Sequence, residues 1–596
     1  MTILGINAYH GDSAACLVRD GELVAAAEEE RFRRVKHWAG LPTQAITYCL
    51  REGKLGLGQV DHIAVNRNPR VNHLKRLGFV LTHRPDPRLV LNRVKNIRKA
   101  ATVESALGAA FPGEQPRGKI HHVEHHLAHL ASAFSVSPFE EAVCVSVDGF
   151  GDFASAAWGM GNGEGIRIDG RVYFPHSLGI FYSAMTQFLG FPHFGDEYKV
   201  MGLAPYGEPK FLEAMRQLVL VQADGTYRLN LKYFRHHTDN VSYSWNDCSP
   251  EVGTLYSPEL ERLLSPARKE NEPLEQRHKD LACSAQAMYE ESFFALLNAL
   301  HAKYRSENLA LSGGCAMNSV ANGKVSLKTP FRKLYVPASA GDAGGAIGAA
   351  FSVWEQMSSA HLARQSNGNG NGHFVMNHAY VGPEYDREGI VKVLARRGLK
   401  PGGKENGCSV TEITDATELC RVTARAISEG KVVGWFQGRM EWGPRALGNR
   451  SILCDPRRGD MKEILNAKIK RRESFRPFAP SILREHVEQW FEQDADVPFM
   501  MQVLQVREEK RKLTPATTHV DGSGRLQTVH RETNPLYWKL ISEFYGLTGV
   551  PMVLNTSFNE NEPVVCRPEE ALDCFLRTKM DVLVMERIFV SRGWNG

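Results

Sequence analysis

The sequence predicts an α/β protein of two domains, the first built from a repeated strand–turn–strand unit. Three observations carry this. Residues 4–7, 11–15 and 16–18 read as strand, glycine turn and strand, and residues 143–148, 151–155 and 156–158 repeat the pattern. In both copies a polar residue, Asn7 or Asp148, ends the first strand, and a Gly-Asp pair lies in the turn. Two such hairpins suggest a duplicated fold with a cleft between its halves. Second, 596 residues exceed what one core accommodates. Third, residues 363–373 form an Asn/Gly-rich stretch that cannot build a core and reads as a linker. The expected division is 1–362, linker 363–373 and 374–596.

Composition bounds the function. Hydrophobic residues at 43% and charged residues at 23% describe a soluble globular chain, and a net charge of +5 points to no particular partner. None of the eleven cysteines forms a Cys-x-x-Cys pair, so a zinc ribbon and a redox dithiol are not expected. Cysteines inside apolar runs, such as Cys144 and Cys566, read as small buried hydrophobes in a reducing cytoplasm. No apolar run reaches membrane-spanning length, and the first residues read as a strand, so neither membrane nor signal peptide is expected.

Taken in chain order, the hairpin at 4–18 carries His10 in its turn. His125 and His129 are four apart, which on a helix places both imidazoles on one face. With Asp148 at the end of the next strand they suit a divalent transition metal such as Fe(II). Two helix histidines satisfied by hydrogen bonds would show the same spacing. Residues 238–271 read as a surface insertion. Two glycine-rich turns follow, Ser312-Gly313-Gly314-Cys315 through Asn318 and Gly341-Asp342-Ala343-Gly344-Gly345 through Gly348. Side-chain-free residues at a helix start let a nucleotide approach backbone N–H groups, and tight helix packing would use Gly344, Gly345 and Gly348 equally well. Asp342 is a second carboxylate for a metal, or a helix cap.

Beyond the linker, residues 439–476 carry eleven Lys or Arg against five Asp or Glu. Arg445, Arg450 and Arg476 sit beside Gly or Pro, where convergent guanidinium groups bind phosphate or carboxylate. Arg457, Arg458, Arg471 and Arg472 read as surface. The charge is confined and lacks interleaved aromatics, so nucleic acid is not the expected partner. Residues 506–525 read as a loop. Residues 549–559 run from an apolar strand into Asn555, Thr556, Ser557 and Asn559, either a pocket wall or a hydrogen-bonded turn.

Together with Asn7-x-x-His10, Glu28-Glu29-Glu30-Arg31-Phe32, Gly195-Asp196-Glu197-Tyr198-Lys199-Val200-Met201-Gly202 and Gly443-Pro444-Arg445-Ala446-Leu447-Gly448-Asn449-Arg450-Ser451, these motifs run in order over nearly the whole chain. The chain thereby resembles the O-carbamoyltransferases of natural products and nodulation factors, of the nebramycin-synthase and nodulation-protein kinds. The resemblance implies an N-terminal domain of the duplicated actin-like ATPase (ASKHA, Kae1-like) fold and a YrdC-like α/β C-terminal domain. It implies that the C-terminal domain makes carbamoyl-adenylate from carbamoyl phosphate and ATP with Mg²⁺, and that the N-terminal domain passes the carbamoyl group to a hydroxyl of a small molecule. Its metal ligands fall on His125, His129, Asp148 and Asp342, with iron as the metal. Its carbamoyl-phosphate residues fall on Arg445, Lys470 and Arg476, then Arg525 and Asn555, with Arg445 and Lys470 also catalytic. His10 is the expected general base, with a hydrogen-bonding role as the alternative. Lys199, Gly313, Gly314, Asn318, Gly341 and Asp342 are the expected nucleotide contacts. Aminoglycoside, polyketide, cephem and chito-oligosaccharide acceptors all remain open, as does the oligomeric state. A tRNA threonylcarbamoyl transferase is the alternative enzyme, and a nucleotide-switched binding module the alternative without catalysis.

Overall fold

The computed structural model describes residues 1–83, 103–114, 116–239, 241, 243–245, 248–358, 374–405, 407–470, 473 and 475–593. The chain divides into two compact units, Met1–Met376 and Asn377–Gly596. The expected linker at 363–373 lies outside the described residues.

Unit one contains two five-stranded sheets. The first is built from β1 (Thr2–Asn7), β2 (Ala14–Arg19), β3 (Glu22–Glu28), β4 (His62–Val65) and β5 (Lys119–His122), in the order β3-β2-β1-β4-β5. The second is built from β6 (Ala142–Gly151), β7 (Ala154–Asn162), β8 (Gly165–Tyr173), β9 (Asn308–Ser312) and β10 (Lys333–Tyr335), in the order β8-β7-β6-β9-β10. In each, the three consecutive strands pair antiparallel through short turns, and the two later strands join parallel beside the first. Parallel pairing needs a long crossover, and the intervening helices supply it. The echo between residues 4–18 and 143–158 thus corresponds to matched positions, β1–β2 and β6–β7, in two sheets of one topology.

Helix Gly344–Met357 packs on helix His125–Phe134 and on β1. Glycine permits the approach. A Cβ at Gly348 would lie 1.7 Å from the Ala128 carbonyl oxygen, and one at Gly5 would lie 2.1 Å from that of Ala346. Gly348 therefore serves helix packing, the second of the two roles the pattern allowed, while Gly344 lies against the Ser339 carbonyl and Gly345 against the Asn66 side chain. Leu4, Ile6, Leu17 and Ile63 fill one core, and Leu130, Phe134, Cys144 and Ala157 another.

Unit two holds one ten-stranded mixed sheet. Its strands are β11 (Lys404–Glu405), β12 (Cys408–Glu412), β13 (Val433–Phe436), β14 (Arg450–Cys454), β15 (Ala479–Leu483), β16 (Gln502–Gln505), β17 (Ser523–Val529), β18 (Met552–Ser557), β19 (Val582–Met585) and β20 (Ile588–Arg592). The order is β11-β12-β20-β19-β13-β14-β18-β15-β17-β16. Successive residues feed opposite faces. Trp435 and Leu453 join a core that includes Tyr537 and Leu540, whereas Phe436 and Ile452 join one that includes Phe558 and Leu572. Burial on both faces explains the near-continuous apolar strands. All eleven cysteines are free thiols, Cys144 and Cys566 among the buried ones. No helix among the described residues is long and apolar enough to cross a membrane.

Candidate functional site

In unit one, Glu124 caps helix His125–Phe134 by accepting a hydrogen bond from Leu127 N at 2.8 Å. Asp152, from the β6–β7 turn, takes His125 N at 3.0 Å and Asn68 N at 2.8 Å on one oxygen. These contacts fix the first turn of the helix, from which His125 and His129 project together. Their Nε2 atoms are 3.0 Å apart. Asp148 Oδ2 lies 3.1 Å from His125 Nε2 and 3.4 Å from His129 Nε2. Asp342 Oδ1 lies 3.6 and 3.4 Å from the same two atoms. The other Asp148 oxygen accepts from Gly314 N at 2.9 Å, and Ser177 Oγ donates to the Asp148 carbonyl, so the carboxylate is held from behind.

The donor set fits a divalent cation. Ligand bonds of about 2.1 Å put neighbouring donor atoms about 3.0–3.4 Å apart in octahedral or tetrahedral arrangements, the spacing seen here. Two imidazoles and two carboxylates suit Fe(II) or a similar metal. Burial alone would lower the His129 pKa, but Asp148 and Asp342 outweigh it and raise it to about 9. Burial also drives Asp148 upward, yet the two histidines hold it well below the carboxylate range. Asp342 is raised, first by burial and then by Asp148.

His10 lies beside this cluster, its ring centroid 5.4 Å from that of His125. Burial, His125 and Arg67 depress its pKa well below 6.5, so the imidazole is neutral, and its buried Nε2 has no hydrogen-bond partner. Asn7 Nδ2 donates to Gly11 O and Asp12 O, and Ser13 Oγ to Gly40 O, which fixes the turn that presents His10.

The expected nucleotide contacts have mixed surroundings. Gly313 adopts φ +88°, and a Cβ there would lie 2.3 Å from the Val147 carbonyl oxygen. Gly314 N is spent on Asp148, whereas a Cβ at Gly341 would meet nothing within 4 Å. Asn318 caps helix Ser319–Gly323 and exchanges hydrogen bonds with Gln286. Lys199 pairs with Asp196 at 2.9 Å and lies over Phe191. These two side chains are committed to protein partners. An open cavity of about 490 Å³ is lined by Asn68, His121, His122, Glu124 and Leu127 and by none of the four cluster residues.

In unit two, Glu441 organises the loop before β14. One of its oxygens accepts from Leu447 N, Asn449 N and Arg450 N at 2.8, 2.7 and 3.1 Å. Arg450 is fully buried, donates to the carbonyls of Gln437, Asn449, Pro383 and Gly438, and stacks 3.7 Å from the Phe436 ring centroid. It is a staple of the loop: both terminal nitrogens are spent on these carbonyls, and only its Nε, buried in the core, has no partner. This corrects its grouping with Arg445 and Arg476. Arg445 is different. No acid or carbonyl among the described residues engages its guanidinium, its Nε is buried, and burial plus the nearby Arg476 push its pKa down to about 10. Arg476 also lies 3.7 Å from Glu473.

Lys470 Nζ donates to Ser557 O, Asn559 O and Asn559 Oδ1 at 2.6, 2.8 and 2.6 Å, which anchors the end of β18. Asn555 Nδ2 contacts Ala446 O, Ser481 Oγ and Gln527 Oε1, tying β18 to the Arg445 loop, while its Oδ1 is buried with no partner. Arg525 stands on β17 opposite Val503, and its charge acts on His519. Arg457 and Arg458 pair with Asp455 and Asp460 toward the surface. Arg471 and Arg472 lie outside the described residues. Sequence reading missed Glu441 and Asp152. The Gly-Asp repeat marked Asp152's position, while nothing local marked Glu441.

Two family models match the chain, "Carbamoyltransferase N-terminus" over residues 2–351 and "Carbamoyltransferase C-terminus" over residues 424–592. Uncharacterized protein sll1178 of Synechocystis sp. is 41% identical over 99% of this chain and 96% of its own length. Nodulation protein NolNO of Sinorhizobium fredii is 36% identical over 98% of this chain and 80% of its own. Nodulation protein NolO of Bradyrhizobium diazoefficiens is 38% identical over 79% of each. Among solved structures, HypF of T. kodakarensis aligns with 60% of this chain and 48% of that one at 15% identity and a TM-score of 0.29, a likeness too slight to fix the fold.

Proposed function

Because the chain belongs to the carbamoyltransferase family, we propose that it is an ATP-dependent O-carbamoyltransferase that divides activation and transfer between its two units. In this reading unit one is a duplicated actin-like fold, as its two matched sheets suggest, and unit two is YrdC-like. Carbamoyl phosphate enters unit two as an anion. Arg445 and Arg476 take its phosphate, with Arg525 beside them. Lys470 and Asn555 hold the wall of the pocket, where the buried Asn555 Oδ1 is an acceptor for the carbamoyl N–H₂. Hydrolysis gives carbamate and inorganic phosphate. Carbamate oxygen then attacks the α-phosphorus of MgATP and expels pyrophosphate, leaving carbamoyl-adenylate.

In unit one His125, His129, Asp148 and Asp342 would hold Fe(II) or another divalent cation, which when bound supplies Lewis-acid polarisation of a carbonyl oxygen. His10, neutral and with a free Nε2, accepts the proton of the acceptor hydroxyl as its oxygen attacks the carbamoyl carbon. The acceptor is a small-molecule alcohol.

One observation carries the activation step. Arg445 feels the charge of Arg476, and no acid or carbonyl among the described residues engages its own guanidinium, at a cost in stability that binding an anion reverses. The test is Arg445→Ala. It should raise the melting temperature, since it relieves repulsion and breaks no hydrogen bond, and it should cut pyrophosphate release dependent on carbamoyl phosphate by about 10²–10³-fold. A variant that is more stable and fully active, or a wild-type chain that releases pyrophosphate without carbamoyl phosphate, would sink this reading.

A further inference from the structure

Residues 66–68 follow β4 directly and adjoin the His/Asp cluster. Asn68 N and His125 N share one oxygen of Asp152, so this tripeptide is fixed to the first turn of the helix that carries both histidines. Asn66 is fully buried, yet neither its Nδ2 nor its Oδ1 has a hydrogen-bond partner. Its amide lies against Gly345, three residues beyond Asp342. A Cβ on Gly345 would be 2.2 Å from Asn66 Nδ2.

Arg67 is only partly exposed, and among the described residues its guanidinium has no hydrogen-bond or ion-pair partner. Asp152 and Arg76 are the charged groups that act on it, and its own charge reaches His10. An amide, a guanidinium and the His10 Nε2 are therefore all uncommitted around one side of the cluster. Buried polar groups without partners are uncommon in native proteins, and two of them, the Asn66 amide and His10 Nε2, beside a partly exposed guanidinium mark a place built for a polar ligand. On the side away from Asp148 and Asp342, Arg67 and Arg76 face the single carboxylate of Asp152, a balance that favours an anion there.

We propose that Arg67 binds the phosphate of a nucleoside monophosphate in unit one and receives the charge of AMP as it departs. This rests on the reading given under Proposed function. In the transfer step the acceptor oxygen forms a bond to the carbamoyl carbon, and the bond from that carbon to the bridging phosphate oxygen breaks. The hydroxyl proton passes to His10 Nε2, and the electron pair stays on the phosphate. AMP is the anion this balanced step creates, and a guanidinium offers it a forked pair of donors. Asn66, with one donor and one acceptor group unspent, suits the neighbouring carbamoyl amide.

Equilibrium dialysis of radiolabelled AMP tests this, using the full-length chain carrying Arg445→Ala so that the pocket in unit two is weakened. Adding Arg67→Ala should raise the Kd for AMP by about 10–100-fold, the range for one charged hydrogen-bonding group. Arg67→Lys should keep it within about fivefold, and adenosine should bind all three proteins alike. Unchanged AMP affinity in Arg67→Ala overturns the proposal, and so does a parallel loss for adenosine, which would report shape. Inorganic phosphate binding as tightly as AMP would assign the site to another phosphate ester and remove the nucleotide. A wild-type chain that makes no pyrophosphate from carbamoyl phosphate and ATP would defeat the two-step reading, and the AMP contrast reads out Arg67 independently.

Discussion

Replacing Gly348 by alanine would put a methyl carbon 1.7 Å from the Ala128 carbonyl oxygen and 2.7 Å from Ser132 N. Non-bonded atoms prefer about 3.5 Å, so the two helices must separate by about 1.8 Å or bend. Both contacts are backbone atoms, and no side-chain rotation relieves them. Overpacking of this kind costs about 1–3 kcal/mol, or several degrees in melting temperature. The chemical consequence is larger. Helix His125–Phe134 carries the two histidines proposed as ligands, and Asp342 stands six residues before Gly348, just ahead of the other helix. A metal tolerates about 0.2 Å in its ligand distances, well under the forced displacement. Gly348→Ala should therefore lose divalent metal after dialysis against a mild chelator, read by mass spectrometry of the eluted protein, while wild type retains it. Gly546→Ala is the control. It lies in helix Pro535–Thr548 with nothing within 4 Å of a new Cβ, and it should be stabilising by about 0.4–1 kcal/mol. Wild-type metal content and melting temperature in Gly348→Ala would refute the reasoning.

Glu441→Ala strips the common acceptor from three buried amides, and at about 1 kcal/mol or more for each it should destabilise unit two by about 3 kcal/mol in urea unfolding. Glu441→Gln, which keeps the acceptor, should cost less, and a Glu441→Ala loss under about 0.5 kcal/mol would show that the loop does not depend on it. His37 bonds Asp12 at 2.8 Å. Burial lowers its pKa, but Asp12 and Glu30 outweigh that and raise it to about 9. A raised histidine pKa contributes stability that is complete below about 6.5 and fades as pH climbs through 9. The melting-temperature gap between wild type and His37→Gln should thus be wide at pH 6 and closed by pH 10. An equal gap at both would assign the contact to packing.

Periodicity and strand ends carried much of this in the sequence. The four-residue spacing of His125 and His129 and the polar termini of β1 and β6 are local features, and local features survive folding. What the sequence left open was decided by burial. Arg445 and Arg450 have the same chemistry five residues apart, yet Arg450 is consumed by four carbonyls and Arg445 by none, because one points into the core behind Phe436 and the other does not. Gly344, Gly345 and Gly348 read equally as ligand-facing or packing until their neighbours were in view. Asn66 and Arg67 belong to no periodic pattern. Their interest lies in what fails to bond with them, and no sequence displays that.

The Asp152 carboxylate has a consequence for the order in which unit one assembles. By joining the amides of residues 68 and 125, and through its own carbonyl the side chain of Asn72, one acid ties three segments remote in sequence into a single knot. No strand of the knot can loosen alone. The amides of Asn68 and His125 should exchange their hydrogens at one common rate, set by a shared opening, so the histidine face and the Arg67 segment appear and vanish together.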